Sequence, residues 1–542
     1  MPDNLTPSAA HLLASYYDAV PYDSHPFPQT APEHLQALAF LFGLQAPAPA
    51  QARVLELGCA AGGNVLPFAA RHAGASALGV DLSAVQVAHG NAAIAYSGLS
   101  NVELRALDIT QIDASFGRFD YIVCHGVYSW VPPEVQQAIL RVCAQNLTPD
   151  GVAYVSYNVY PGWKAREIVR DAMILRGGAR DAPEEKLAYA RGMLDFLEES
   201  AREGSVLKKT LEETMPIVRG GNASYLLHEF LEPCNAPCYF KDFVARAESE
   251  GLAYLADAEP STMFVQNYGE KVREPLMREC GGSQILMEQY LDFLVNRTFR
   301  QSLLVNAERR GQVKYRLEPE RLRQLQFAGV FRAVDGTPLQ IDASEQTCDA
   351  LRNLKVTLRQ PAHKALAQTL DERYPASASV DFLLHEVASR MHMAQVEVEP
   401  IVMAMLEELL IVGALRVRLA PAATPVTVPE RPMALAGLRR APTLALSAGE
   451  TAMSTNQWHE PTALTPVERC LLPLLDGDHD HAALARQLVD DEQAGRIRFV
   501  KSEAQGHPEA QGVEGEAERL AFAQHQTEVG LVQLRRKGML VD

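Results

Sequence analysis

Long apolar runs are missing from the 542 residues: nowhere do about eighteen apolar positions follow one another without a charge, the length a membrane-crossing helix needs. No membrane insertion is therefore expected. The first twenty residues, MPDNLTPSAAHLLASYYDAV, lack a basic cluster and a continuous apolar stretch, so no secretory leader is expected there and a cytoplasmic chain is. Positive charge is in deficit, 50 basic against 67 acidic residues for a net −17, which argues against broad affinity for nucleic acid or anionic membrane surfaces. Cysteine is sparse and scattered (59, 124, 143, 234, 238, 280, 348 and 470). Cys234 and Cys238 form the one close pair, and no second pair or histidine cluster stands at zinc spacing, so reduced thiols are expected and a bound metal is not. What remains is ordinary globular composition, 47% apolar and 22% charged, in a length suited to several compact units.

The order of patterns places those units. RVLEL (53–57), SALGVD (76–81), VELRALD (102–108), FDYIVCHG (119–126) and GVAYVSYNV (151–159) read as strands separated by helix-compatible stretches. That alternation predicts crossover units and a parallel, Rossmann-like α/β sheet. Residues 163–215 carry helical spacing without a strand and read as an insertion. The strand rhythm returns at LAYLADAE (252–259) and FRQSLLVN (299–306), which would close the same sheet. Beyond 311 two units each run three helices and then a strand, a winged-helix-like order, joined by an Ala- and Pro-rich linker. The expected division is a cap or lid at 1–48, a cofactor-binding core at 49–160, the insertion and closing strands at 161–310, a winged-helix-like module at 311–419, a linker at 420–445 and a second such module at 446–542. Residues 502–516 are polar and read as a mobile loop.

Chemistry concentrates where strands end. VLELGCAAGGN sets Glu56, Gly58 and Gly62 at the turn from the first strand into the first helix, where small residues allow close backbone approach and the helix start offers N–H donors. The dinucleotide fingerprint is absent, since Ala60 stands where its second glycine belongs. Asp81 ends the second strand, where a carboxylate can accept two ribose hydroxyls, and Asp108 ends the third, within reach of an adenine amino group. Singly such residues cap turns. Three at successive strand ends face the crevice where open parallel sheets bind ligands, and favour an adenosine-type ligand.

These residues resemble the class I S-adenosylmethionine-dependent methyltransferases: E-x-G-x-x-x-G, Asp81, the LDIT stretch and the apolar fourth strand. PYDSHPFPQTAPEHL, HGVYSWVP and YLLHEFLEPCNAPCYFKDFVARAESEGL narrow the likeness to bacterial methyltransferases with a methyltransferase regulatory domain, whose best understood members are rickettsial-type protein-lysine methyltransferases of outer-membrane proteins. Ala60 departs from the family's usual middle glycine. The resemblance implies S-adenosyl-L-methionine held by Glu56, Gly58, Ala60, Gly62, Asn64, Asp81, Leu82, Asp108 and Ile109, with Tyr22 and Gln29 contributed by a lid that also includes Tyr17, Ser24 and Phe27. A simple packing arm is the other reading of that segment.

After the fourth strand, CHGVYSWVP lacks the Asn/Asp-Pro-Pro-Tyr motif of enzymes that methylate amides or bases. Tyr128 and Trp130 are expected as aromatic walls around an amine, with His125 contacting the cofactor or helping to remove a proton; burial of both aromatics in the core is the alternative. His228 and Glu229 read as a helix-surface pair. The helix at 394–410 carries Glu397, Glu399, Glu407 and Glu408 and no Lys or Arg, which opposes DNA-groove entry, so both C-terminal units read as modules for substrate docking or self-association, including a homodimer. The sequence thus points to a methyltransferase acting on a protein lysine, envelope proteins included. A small-molecule N- or O-methyltransferase, a noncatalytic cofactor-binding scaffold and a winged-helix transcription factor are the rivals.

Overall fold

The computed structural model describes residues 24–180, 182–221, 223–232, 234–440, 451–499 and 515–542; Tyr17, Tyr22 and most of the polar stretch at 502–516 lie outside them. Helix α1 (Pro32–Leu41) precedes β1 (Arg53–Leu57), four of whose five residues are buried because both faces of the strand are covered. Then come α2 (Val65–Arg71), β2 (Ser76–Asp81), α3 (Ala84–Ser97), β3 (Val102–Ala106), β4 (Phe119–Cys124), α4 (Pro133–Asn146) and β5 (Leu147–Asn158). These five strands pair in parallel in the order 3-2-1-4-5. The order reverses between β1 and β4, and at such a switch point the carboxyl ends of the strands open a crevice. Glu56, Asp81 and the residues after Cys124 therefore gather on one edge.

Four helices interrupt the sheet: α5 (Gly162–Gly177), α6 (Pro183–Ser200), α7 (Val206–Gly220) and α8 (Ala223–Phe230), packed around Val169, Met173, Leu194, Leu211, Met215, Leu226 and Phe230. His228 is buried here and faces Glu232, one helical turn on, at 3.6 Å, while Glu229 faces Arg166 at 3.8 Å. The expected surface pair is thus corrected: the side chains diverge, and His228 turns inward with the apolar face of α8. Helix α9 (Phe240–Ser249), β6 (Leu252–Asp257), α10 (Glu270–Glu279), α11 (Gln284–Leu294) and β7 (Phe299–Asn306) complete the sheet, β7 lying antiparallel between β5 and β6. Arg300 of β7, wholly buried, ties α11 to the sheet through Glu288 at 2.7 Å and Asp292 at 2.8 Å.

The middle module comprises α12 (Pro319–Leu322), strands β8 (Gln326–Ala328), β9 (Phe331–Ala333), β10 (Gln346–Ala350) and β11 (Lys355–Leu358), then α13 (Pro361–Arg373), β12 (Ala378–Ser379), α14 (Val380–Met391), α15 (Gln395–Val412) and β13 (Arg416–Arg418). Its core is continuous with α1 and one face of the large sheet: Leu38, Phe42, Val54, Tyr154 and Leu303 belong to the same buried cluster as Phe327, Leu366 and Leu406. Within the linker expected at 420–445, of which 441–445 lie outside the described residues, the chain is packed against the core. β14 (Met433–Ala434) and α16 (Ala436–Arg439) follow, and Gly437 packs so closely that a Cβ there would lie 2.7 Å from Leu99 and 3.0 Å from Ala70. The last module opens with a hairpin, β15 (Ala452–Thr455) and β16 (Pro461–Leu464), and continues through α17 (Pro466–Leu471), α18 (His481–Gln493), α19 (Glu516–Arg536) and β17 (Leu540–Val541), which pairs back onto β14. No helix among the described residues is long and apolar enough to cross a membrane.

Candidate functional site

The turn after β1 is built on positive φ at three positions: Gly58 (+74°), Ala60 (+48°) and Gly62 (+79°). Ala60 pays for its left-handed backbone, a conformation that costs a residue with a Cβ roughly 1–2 kcal/mol, and the fold retains it because Asp81 Oδ2 accepts its N–H at 2.7 Å. Asp81 Oδ1 accepts the N–H of Ser83 at 2.9 Å, so this carboxylate ends β2 and pins the glycine-rich turn at once. Glycine is required at Gly63, where a Cβ would sit 2.3 Å from Ser24 and 2.6 Å from the nitrogen of His25. Through that close approach the segment before α1 crosses the crevice edge, Ser24 Oγ accepting the Gly63 N–H at 2.7 Å.

Glu56 is buried beneath this turn. Its Oε1 accepts Asn64 Nδ2 at 2.8 Å, and its Oε2 has no hydrogen-bond donor among the described residues. Burial, helped by the nearby negative charge of Asp81, pushes its pKa up to about 8. A buried carboxylate with one orphan oxygen beside a cradle of glycines is suited to a cationic ligand group. Asn64 Oδ1 in turn accepts the Phe27 N–H at 2.9 Å and the Thr30 hydroxyl at 2.9 Å. Asp108 Oδ1 accepts the N–H and hydroxyl of Thr110, both at 2.8 Å, so it caps the turn after β3 at the same edge, with Ile109 buried behind it and Leu82 half-buried beside Asp81.

A second cluster forms around His125, which follows β4 at the same edge. Phe27 lies on its ring, centroids 3.9 Å apart, and Phe299 stands edge-on at 6.1 Å. His125 Nδ1 is 2.8 Å from the Tyr154 hydroxyl, which donates to Gln301 Oε1 at 2.7 Å; Ser156 and Gln29 stand beside this hydroxyl. With the tyrosine proton given to Gln301, Nδ1 carries the imidazole proton and Nε2 keeps its lone pair. Burial, with His25 adding a smaller effect, lowers the His125 pKa to about 3, so the ring is neutral at physiological pH.

Tyr128 departs from the expected aromatic wall. The short helical turn Tyr128–Trp130 rotates it behind the sheet, fully buried against Phe243 (5.3 Å) and Tyr157 (6.0 Å), and burial raises its hydroxyl to about 12. No face of its ring is open to an amine. Trp130 packs edge-on against Trp163 at 6.0 Å and is 8% exposed. The aromatic rings beside His125 are instead Phe27 and Phe299. From the sequence Phe27 is expected only as part of the lid; Tyr154, Gln301 and Phe299 carry no local motif. Among the described residues no group of three or more His, Cys, Asp or Glu could hold a metal ion.

Three families match: a methyltransferase domain over residues 54–151, a predicted methyltransferase regulatory domain over 222–306, and the C-terminal winged helix domain of PKMT over 430–539. The chain is 41% identical over 293 residues to the uncharacterized protein RP789 of Rickettsia prowazekii, covering 54% of this chain and 53% of that protein. It is 38% identical over 240 residues to the uncharacterized protein RP028 of the same organism, covering 44% of this chain and 96% of that one. The matched stretch thus spans about half the length of RP789 and nearly all of RP028. Among solved structures, PKMT2 of Rickettsia typhi in complex with AdoHcy superposes with a TM-score of 0.84 at 27% identity, over 96% of this chain and 100% of that one.

Proposed function

We propose, from the premise that this chain belongs to the methyltransferases carrying a regulatory domain and a PKMT-type winged helix, that it transfers a methyl group from S-adenosylmethionine to lysine amines of a protein acceptor. The observation that carries the cofactor assignment is the orphan oxygen of Glu56 beneath the turn that Asp81 pins. Bound S-adenosylmethionine supplies an electrophilic methyl on a sulfonium. Glu56, oriented by Asn64, would hold its cationic portion, Asp81 and Leu82 its ribose, and Asp108 and Ile109 its base. The turn from Gly58 to Gly62 lets the backbone approach closely.

On the other side, His125 Nε2 accepts a hydrogen bond from the incoming amine and orients its lone pair. With a pKa near 3 this imidazole is too weak a base to keep the proton of an ammonium, so its part is alignment, and Phe27 and Phe299 give the amine an apolar, desolvating wall. His125→Ala should lower turnover at least about tenfold with cofactor affinity kept, whereas Tyr128→Phe should change turnover less than about twofold. Steady-state kinetics beside calorimetry checks both, and equal losses in the two variants would return Tyr128 to the acceptor pocket.

A protein acceptor is supported by the match to PKMT2 over the whole of that chain, C-terminal module included. The acceptor class proposed is an envelope protein met in the cytoplasm, and eight unpaired cysteines suit a reducing compartment. A homodimer is the proposed assembly. To test the activity, the full chain is incubated with methyl-labelled S-adenosylmethionine and separate envelope, cytosolic-protein and small-metabolite fractions. Label on envelope-protein lysines is expected; label confined to small molecules would replace the acceptor.

The raised pKa of Glu56 gives a further expectation with a definite sign. An ordinary glutamate titrates near 4.3, so the ligand-free fold binds this proton more tightly than the unfolded chain does. The contribution to stability is complete below the unfolded pKa and is lost as pH rises toward about 8. A cationic ligand favours the carboxylate, so binding S-adenosylmethionine at pH 7 should release about one proton, and Glu56→Gln should abolish that release. Calorimetry in buffers of different ionisation enthalpy measures it; the same proton count in both proteins would assign the proton to another group.

A further inference from the structure

The tip of the β15–β16 hairpin reaches from the last module into the cofactor turn, across 395 residues of sequence. His459 there is 1% exposed and sits at a φ of +60°, a left-handed backbone that a histidine adopts only where its surroundings hold it. Its Nε2 lies 2.8 Å from Asn64 Oδ1 and its Nδ1 lies 2.8 Å from Arg71. A guanidinium can only donate, so Nδ1 accepts, and Nε2 must carry the hydrogen that goes to Asn64. The same logic fixes the asparagine: its oxygen meets three donors, from His459, Phe27 and Thr30, and its amide nitrogen is left to hold Glu56 Oε1 at 2.8 Å. Burial and the Arg71 charge keep the imidazole neutral, as this arrangement needs.

The hairpin tip is clamped from both C-terminal modules. Trp458 Nε1 donates to the Pro375 carbonyl at 2.8 Å and its ring lies under Arg418 at 4.3 Å. Arg418 also donates to the Gln457 carbonyl, Arg416 pairs with Glu460, and the Gln457 N–H reaches the Gly538 carbonyl at 3.0 Å. His459 is therefore delivered to the turn by the seating of the C-terminal half.

We infer that His459 is a positioning residue for the cofactor site, setting the Asn64 amide and through it the Glu56 carboxylate, so that cofactor affinity depends on the C-terminal module being seated. This rests on the reading that the Glu56–Asn64 turn holds S-adenosylmethionine.

The test uses the full chain with S-adenosylhomocysteine as probe. His459→Leu, which can neither donate nor accept, should lose roughly tenfold in affinity and raise KM for S-adenosylmethionine with kcat at saturation nearly unchanged. His459→Gln, whose amide can donate to Asn64 and accept from Arg71, should recover most of that loss. Coupling is reciprocal, so adding the probe to the unaltered chain should slow hydrogen exchange in residues 452–464, a reading that needs no variant to fold. Wild-type affinity in a folded His459→Leu, equal losses in both variants, or unchanged exchange in the hairpin would overturn the inference. An unaltered chain that binds no probe, or a Glu56→Ala variant that binds it normally, overturns the cofactor reading itself and the inference with it.

Discussion

A chain ended at residue 310 should fail to give a soluble, folded methyltransferase core. The sequence suggests a cut there, because the helix-helix-helix-strand rhythm restarts just beyond it. The structure shows what the cut would expose. Phe42, fully buried, lies between Phe264 (6.3 Å) and Tyr315 (6.1 Å), and Leu325, Phe327, Leu366 and Leu406 continue the same core. Polar ties would be lost with it: Lys314 N–H to the Phe42 carbonyl at 2.9 Å, Arg321 to the carbonyls of Phe40 and Gly43 at 2.9 and 3.1 Å, and Asn267 to the Ile411 carbonyl at 2.8 Å. Exposing each large apolar side chain costs about 1.5–3 kcal/mol, so uncovering a handful costs on the order of 10 kcal/mol, the whole stability of a typical domain. The truncated chain should aggregate or lack a cooperative melt, as expression, hydrodynamic size and circular dichroism will show. A monomeric truncation with a sharp melt would mean that the shared core is an accessory contact. The middle module is thus part of the core of the large sheet, whereas the last module keeps a buried cluster of its own around Leu471, Leu484 and Leu531.

What could be read from the sequence, and what could not, follows from the range of the interactions. β1, β4 and β5 were legible because a strand buried on both faces writes a local apolar run, β3 at the sheet edge because turns bound it on either side, and Glu56, Asp81 and Asp108 because a strand end is a local event. The side of the sheet that Tyr128 takes was not: Gly126, at a φ of +70°, and the helical turn after it reverse the chain, and spacing alone cannot say which way the ring then points. Gln301 reaches Tyr154 only because β7 inserts antiparallel beside β5, a pairing no motif announces. The β15–β16 hairpin was missed for a similar reason. Its strands have four residues each, and its tip, Asn456-Gln457-Trp458-His459-Glu460, lacks the glycine that usually marks such a turn, since His459 itself takes the left-handed position. The tip is held by contacts with distant partners, and the residue that breaks the local rule is the one that meets the cofactor turn.

Asp81→Ala should lower S-adenosylmethionine affinity about a hundredfold while leaving the fold intact, the largest effect expected of any single side chain in the site. Two losses combine. A ribose hydroxyl pair would lose its acceptor at the end of β2, and the Ala60 N–H would lose the partner that holds it at 2.7 Å. Each buried hydrogen-bond loss is worth about 1–3 kcal/mol, and every 1.4 kcal/mol is tenfold in affinity. The second loss weighs more at an alanine, because Ala60 occupies a left-handed position that a glycine would take without strain. Two companion variants separate the contributions. Asp81→Asn keeps one acceptor oxygen and should fall between the wild type and alanine. Ala60→Gly in the Asp81→Ala background removes the strain at the turn and should recover part of the loss, about tenfold at most, since the ribose acceptor stays missing. Titration calorimetry of all four proteins, beside thermal melts without ligand, reads the result. If the alanine variant binds with unchanged affinity, Asp81 serves the turn alone, and the ribose must be held elsewhere along the crevice.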